Sequence, residues 1–400
     1  MINIANTKTS STEQKNTPMA FLELAFRPFF LCASFFSIIS LLLWGAMLNG
    51  SFTADVYGGA LWWHKHEMLF GFVSAIIVGF LLTAVQNWTG VRSLNGKGLL
   101  GLFILWLLGR VLFLMPVNLS PWFIILVDIT FLPLAAAALA YPIIQVKLWR
   151  NLMFIPILLI MTLINIVMHY SIVSQSPQLM NNASTAMVLL VTLIMTIMGG
   201  RVFPMFTANG TQTPRVNAVG WLEKVVIITT LVALIISFNI IDLPTEFKAG
   251  IYFIAAVAHA ARAFRWKVWV TLKTPLVWSL HFSYWCIAIG LLLFGVAELS
   301  ATVSQSQAVH LLTVGAMGTM ILSMISRVSL GHTGRAIVAS KLMTFAFITI
   351  ILSTIFRVFG SYFLTDYSQV INTAIVFWVI AYGCFVYIYL PILTKAKPGY

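Results

Sequence analysis

Apolar runs of about twenty residues, the length that crosses a bilayer as a helix, alternate along the whole chain with short polar stretches. The pattern predicts twelve spans, at 28–48, 66–87, 98–115, 120–145, 152–173, 183–204, 219–239, 247–265, 275–297, 305–327, 341–363 and 370–393. None shows the alternating pattern of a barrel strand, so the expected fold class is all-α, a polytopic membrane bundle. The polar stretches predict its orientation. Even-numbered gaps hold Arg92 and Lys97, Lys147 and Arg150, Arg215, then Arg265 with Lys267 and Lys273, and Arg335; the tail holds Lys395 and Lys397. Odd-numbered gaps hold Asp55, Asp242, Glu246, Glu298 and Asp366, with Lys65 and Lys248 as their basic residues. Basic loops stay on the cytoplasmic side, so both termini are expected to be cytoplasmic.

Residues 1–18 are polar and read as a disordered cytoplasmic tail, leaving 19–400 as one transmembrane domain. The gap at about 205–218 suggests a linker between two six-helix halves, 19–204 and 219–400. Composition agrees: 60% of residues are hydrophobic and 8% charged, which excludes a soluble domain. The net charge of +13 is spread thinly over the loops, so it follows topology and implies no nucleic-acid partner. Cys32, Cys286 and Cys384 lie in apolar runs without metal-ligand spacing, which excludes a disulfide framework and a zinc finger.

Ionisable residues inside spans are costly, and each needs a partner or a task. The second span opens on WWHKHEMLFG, which puts His64, His66 and Glu67 within one turn at the outer mouth. Imidazole and carboxylate are transition-metal ligands, and imidazole is the usual axial ligand of haem. His310 opens the tenth span at the same depth, followed by Gly315 and Gly318, as Gly71 follows His66. The pair His66 and His310 is therefore the expected outer metal site, with His169 a solvated helix end. Asp128 is placed to pair with Arg110 across a short hairpin. His259 and His281 form a second group of possible ligands on the inner side. Met317 and Met320 share a stripe with Met324 that suits either apolar packing or Cu(I). Arg201, Arg327 and Arg335 sit at inner helix ends, where guanidinium groups pair with carboxylates or anchor the topology. The GGRVFP segment around Arg201 reads as an irregular helix end. Trp62, Trp63, Trp88, Trp106, Trp122 and Trp278 read as an interfacial belt.

The stretches FRPFFL, WWHKHEMLFGFVSAIIVGFLLTAVQNWTG, GGRVFPMFT, RWKVWVTLKTPLVWSLHFSY and HLLTVGAMGTMILSMISRVSLGHTGR resemble the NnrS family of bacterial membrane proteins. Gln86 departs from the proline expected at that place in the motif. The resemblance implies a twelve-span inner-membrane protein that holds haem and copper and takes part in nitric oxide metabolism or resistance to nitrosative stress, as in denitrification. It supplies no ligand set. Two other functions compete. A nitric oxide reductase-type enzyme needs a His-x-His on its tenth helix, where this chain has only His310 within the span. A secondary transporter needs midplane charges and broken helices, of which few are present.

Overall fold

The apolar runs fold as twelve long helices among the described residues, 20–53, 55–115 and 119–396 of a computed structural model. They are α1 (Phe26–Leu48), α2 (Ala60–Thr89), α3 (Gly96–Leu114), α4 (Pro121–Gln145), α5 (Phe154–Val173), α6 (Pro177–Thr211), α7 (Gly220–Ser237), α8 (Thr245–Arg265), α9 (Pro275–Leu299), α10 (Gln305–His332), α11 (Lys341–Phe359) and α12 (Tyr367–Thr394). No strand occurs among those residues. The expected tail at 1–18 lies outside them.

Local chemistry sets the helix ends. Pro121, Pro177 and Pro275 open α4, α6 and α9, where a missing N–H costs nothing. Ser304 caps α10 in a reciprocal box: its hydroxyl accepts from the Gln307 N–H, and the Gln307 side chain accepts from the Ser304 N–H. Ser340 and Asp366 cap α11 and α12 in the simpler way. Gly90 closes α2 at φ +70°, a conformation that glycine adopts without strain.

Eleven of the twelve are long and apolar enough to cross a membrane, and together they make a multi-pass membrane protein. The exception is α8, expected as the eighth span, whose Glu246, Lys248, His259, Arg262 and Arg265 dilute its apolar character. It nevertheless lies antiparallel along α9: Phe253 meets Gly295, His259 meets Tyr284, and Trp266 meets His281. The fold therefore retains it within the bundle layer, with His259 and Arg262 turned inward.

One expectation needs correction here. The first half of the 205–218 gap is helix, because α6 runs on to Thr211 through Pro204. GGRVFP is thus not an irregular end. Its glycines serve close approach: the Arg262 guanidinium occupies the space where a Gly200 side chain would stand, and the Tyr284 ring lies 3.3 Å from a Gly199 Cβ position.

The centre of the bundle is α2, α6 and α10, in whose apolar windows 78%, 72% and 72% of residues are buried, against 33% in α12. Two of these three contain a π-helical stretch, Glu67–Val73 in α2 and Leu311–Gly318 in α10. Such stretches hold one extra residue per turn and concentrate at functional sites. Each has a glycine carbonyl captured by an aromatic donor from another helix. The Trp106 indole donates to the Gly71 carbonyl and the Tyr382 hydroxyl to the Gly318 carbonyl, both at 2.9 Å.

If α8 crosses the membrane, reporter fusions in the 266–274 loop should report the same side as fusions in the 212–219 loop. They should match fusions after Lys97 and in the 395–400 tail, all cytoplasmic, and fusions at 174–176 should report the opposite side. Opposite readings at 212–219 and 266–274 would leave eleven crossings.

Candidate functional site

Two polar sites lie at the end of the bundle that carries the α1–α2 connection, on opposite faces of α2. Residues two apart in a helix point about 200° apart, so His64 and His66 address different neighbours.

His64 faces a cavity of about 720 Å³ between α1, α2, α6, α10, α11 and α12, within the size range of small-molecule and cofactor sites. Its ring stacks on Trp44, with centroids 4.4 Å apart and planes 11° apart. Its Nδ1 is buried without a hydrogen-bond partner. His310 lines the same cavity from α10. Its Nδ1 lies 2.7 Å from the Ser306 carbonyl, which can only accept. The proton is thus on Nδ1 and the Nε2 lone pair is free, the tautomer that metal-ligating histidines adopt. Met47, Met68 and Met317 supply thioethers to the cavity lining, and Lys65 and Arg357 supply its positive charge. Lys65 is bonded to Asn181 at 2.5 Å, and Arg357 to Ser306 at 3.2 Å. No aspartate or glutamate lines this cavity among the described residues.

His66 turns the other way, into a buried cluster contributed by α2, α3, α4 and α5. Its ring is sandwiched by Trp62, 4.5 Å away at 11°, and Phe70, 5.1 Å away at 28°. Its Nδ1 meets Glu67 Oε1 at 2.9 Å. Its Nε2 meets Asn165 Oδ1 at 2.9 Å and Asp128 Oδ2 at 3.1 Å. Asp128 Oδ2 also faces His169 Nε2 at 3.2 Å and accepts from Asn165 Nδ2 at 2.7 Å. Arg110 joins the two carboxylates. It is bonded to Asp128 Oδ1, and its Nε lies 3.0 Å from Glu67 Oε2, a close ion pair without hydrogen-bond alignment. A Cβ on Gly71 would stand 3.0 Å from the Arg110 guanidinium, so glycine there makes room for it. Tyr57, in the α1–α2 connection, closes the cluster over His169 Nδ1 at 3.4 Å. Burial, and after it the Asp128 charge, push the Tyr57 phenol up to about 12, so it stays protonated at neutral pH.

This end of the bundle thus holds two sites instead of one. The structure brings His64, not His66, to His310. It confirms the Arg110–Asp128 pairing and corrects His169, which is 2% exposed and bonded to Asp128 instead of solvated. Trp62, Trp63 and Trp106 are at most 3% exposed and belong to this interior, not to an interfacial belt, whereas Trp122 at 71% is exposed as expected. Met320 packs in the core and does not reach the cavity. Gly315 and Gly318 admit Cys286, Thr354 and Trp378, which is helix packing.

The inner histidines have a different setting. His259 is held by Thr230 at Nε2 and by the Tyr284 hydroxyl at Nδ1, both at 2.9 Å, so neither nitrogen is spare. His281 Nε2 meets the Thr207 hydroxyl at 2.8 Å. Between them lies a charge pair that the sequence reading overlooked. Arg262 binds both oxygens of Glu223 and donates to the Tyr284 hydroxyl at 2.8 Å and the Thr196 carbonyl at 2.9 Å. Arg201 reaches Met153 Sδ at 3.8 Å, and Arg327 stacks over the Phe206 ring at 3.9 Å. Arg335 reaches the Thr333 carbonyl at 3.4 Å. None of these three arginines meets a carboxylate among the described residues. Arg27, buried at 1% exposure, instead fastens α1 to the chain end by donating to the Leu393 and Lys395 carbonyls.

These residues lie within a sequence that the NnrS family model, described as NnrS protein, matches over 20–397. The chain belongs to the NnrS family. Among curated proteins none matches it. For this NnrS-family chain, the motifs quoted above fall on the elements that build the two outer sites: WWHKHEMLFG supplies His64, His66 and Glu67, and HLLTVGAMG supplies His310 and the second π stretch.

Arg110 is the centre of charge of the buried cluster. Replacing it by methionine should lower stability by about 3–5 kcal/mol, because two carboxylates lose their cation in a dry interior. The measurement is thermal unfolding in detergent. Arg327→Met, which removes only a ring stack, should shift the midpoint far less, and equal shifts would refute the assignment.

Proposed function

We propose that this protein holds haem in the cavity between α2 and α10, with His310 and His64 as iron ligands, and that it serves nitric oxide metabolism or resistance to nitrosative stress in the bacterial inner membrane. One observation carries the reading. His310 is fixed through Nδ1 with its Nε2 lone pair free, in an apolar cavity lined by a second histidine and by two cations without an acid. Haem fits this donor set. The orphaned Nδ1 of His64 shows an imidazole not satisfied by the protein alone. Lys65 and Arg357 lack carboxylate partners here, and the two propionates of a haem would provide them.

A haem held there would supply iron that takes a neutral diatomic gas in place of one of the two imidazoles. The protein's own contribution is to orient the imidazole through Ser306, to exclude water with Trp44, Phe72 and Trp378, and to admit an apolar gas from the bilayer. Copper has a place as well. Met68 and Met317 give the cavity wall thioethers, ligands that favour Cu(I). A helical bundle, not a barrel, is the architecture of the inner membrane. The observations favour neither the reductase-type centre nor the transporter. His310 stands alone on α10 at this level, and the fully buried Arg110 and Arg262 are paired with carboxylates.

The purified, dithionite-reduced protein should show a sharp haem band that His310→Ala and His64→Ala abolish or convert to a high-spin form. Arg357→Leu should weaken haem affinity about tenfold or more, the usual worth of a charge-assisted hydrogen bond. Adding nitric oxide to the reduced protein should shift the band. A spectrum without haem, or one that both histidine variants leave intact, would overturn the reading.

A further inference from the structure

We propose that the second outer site, His66, Asp128 and His169, binds one divalent first-row transition-metal ion separately from the haem cavity. Three ligand atoms converge there from α2, α4 and α5: His66 Nε2, His169 Nε2 and Asp128 Oδ2 all lie within 4.8 Å of one another. Two imidazoles and one carboxylate are the set that iron(II), manganese(II) and zinc(II) sites use. No thiolate or thioether is in the group, so the donors are harder than those of a Cu(I) site.

The surrounding groups are those a metal site needs. Ligating histidines usually give their second nitrogen to a carboxylate or another oxygen, which fixes the ring and its tautomer. Here Glu67 Oε1 holds His66 Nδ1 at 2.9 Å, and the Tyr57 oxygen stands 3.4 Å from His169 Nδ1. Arg110 occupies Asp128 Oδ1 and the Asn165 amide takes one lone pair of Oδ2, which leaves the other Oδ2 lone pair for the metal. Asn165 Oδ1, 2.9 Å from His66 Nε2, offers a fourth donor. Beside Asp128, Arg110 and Asn165 is a void of about 10 Å³, close to the size of one water.

The protonation pattern points the same way. Glu67 faces His66 Nδ1, so that nitrogen carries a proton. The Nε2 nitrogen then faces Asp128 Oδ2 and Asn165 Oδ1, both of which can accept. A second proton or a metal ion satisfies it. When the ion binds, Nε2 releases that proton to solvent and donates its lone pair. At the same time the His169 proton shifts to Nδ1, where it is donated in a hydrogen bond to the lone pair of the Tyr57 oxygen. Arg110, Glu67 and Asp128 sum to one negative charge, so a divalent ion leaves the site at +1, which suits a hydroxide or another anion in an open position.

Cobalt(II) is the probe, because its visible spectrum reports coordination by protein ligands. Purified, chelator-treated protein should take up about one equivalent of cobalt(II), with a visible band and proton release on binding. His169→Ala and Asp128→Asn should lose the band, whereas His310→Ala, which empties the other site, should keep it. Loss of the band only in His310→Ala would place the ion in the haem cavity and overturn the proposal. Wild-type protein that binds no stoichiometric cobalt(II), and whose melting point zinc(II) or iron(II) does not raise, would show that the cluster holds a proton only. That outcome overturns it without relying on the folding of any variant.

Discussion

Arg110 held between Glu67 and Asp128 is the interaction on which the end of the bundle around the α1–α2 connection depends. In the bilayer interior an unpaired guanidinium or carboxylate is too costly to keep, so the three must meet wherever else the chain goes. They come from α2, α3 and α4, and their meeting fixes how these helices face one another. Gly71 leaves room for the guanidinium, and Trp106, one turn before Arg110 on α3, satisfies the carbonyl that the π stretch of α2 releases there. His66, Asn165 and His169 then follow as the groups that saturate the remaining lone pairs. A buried charge network of this kind adds less net stability than its contacts suggest, because desolvation offsets the attraction. What it adds is a single permitted arrangement of four helices.

Apolar run length made most of the architecture legible in the sequence. The helices were readable because the solvent is uniform: in lipid, hydrophobic length is nearly sufficient to predict a span. Asp128 and Arg110 were readable as partners because a short hairpin allows few others. The choice between His64 and His66 was not. Both sit in the first turn of one helix, and which of them meets α10 depends on the rotation of that helix. Rotation is set by packing, and a π stretch moves it by a residue without leaving a mark in the hydrophobic pattern. His169 was misjudged for a related reason. Its place at the end of an apolar run says nothing about Tyr57, which reaches over it from the α1–α2 connection. Glu223 and Arg262 escaped notice because they lie on different helices and 39 residues apart.

The tryptophans show how one residue type can carry two meanings. An indole at a span end usually lies in the membrane interface. Trp62 stands at such a position in the sequence and Trp106 in mid-span, and each donates its N–H to a backbone carbonyl inside the bundle, Met168 and Gly71 respectively, at 2.9 Å. Sequence position gives the depth of a residue and not the side of the helix it occupies. The distinction decides whether an aromatic anchors the protein or walls a site.

The two π stretches relate the sites to the packing. Each begins directly after a histidine, His66 in one case and His310 in the other. An inserted residue turns everything before it by about 100° relative to everything after. The last turns of α2 can therefore keep the face that packs on α1, through Gly79 against Phe29 and Thr83 against the Phe26 N–H, while its first turns take a different phase. In that phase His64 points to the cavity and His66 to the charge cluster. A regular helix of the same sequence could not direct both imidazoles inward and keep Gly79 on Phe29. The extra residue is thus the physical reason that one helix end serves two sites.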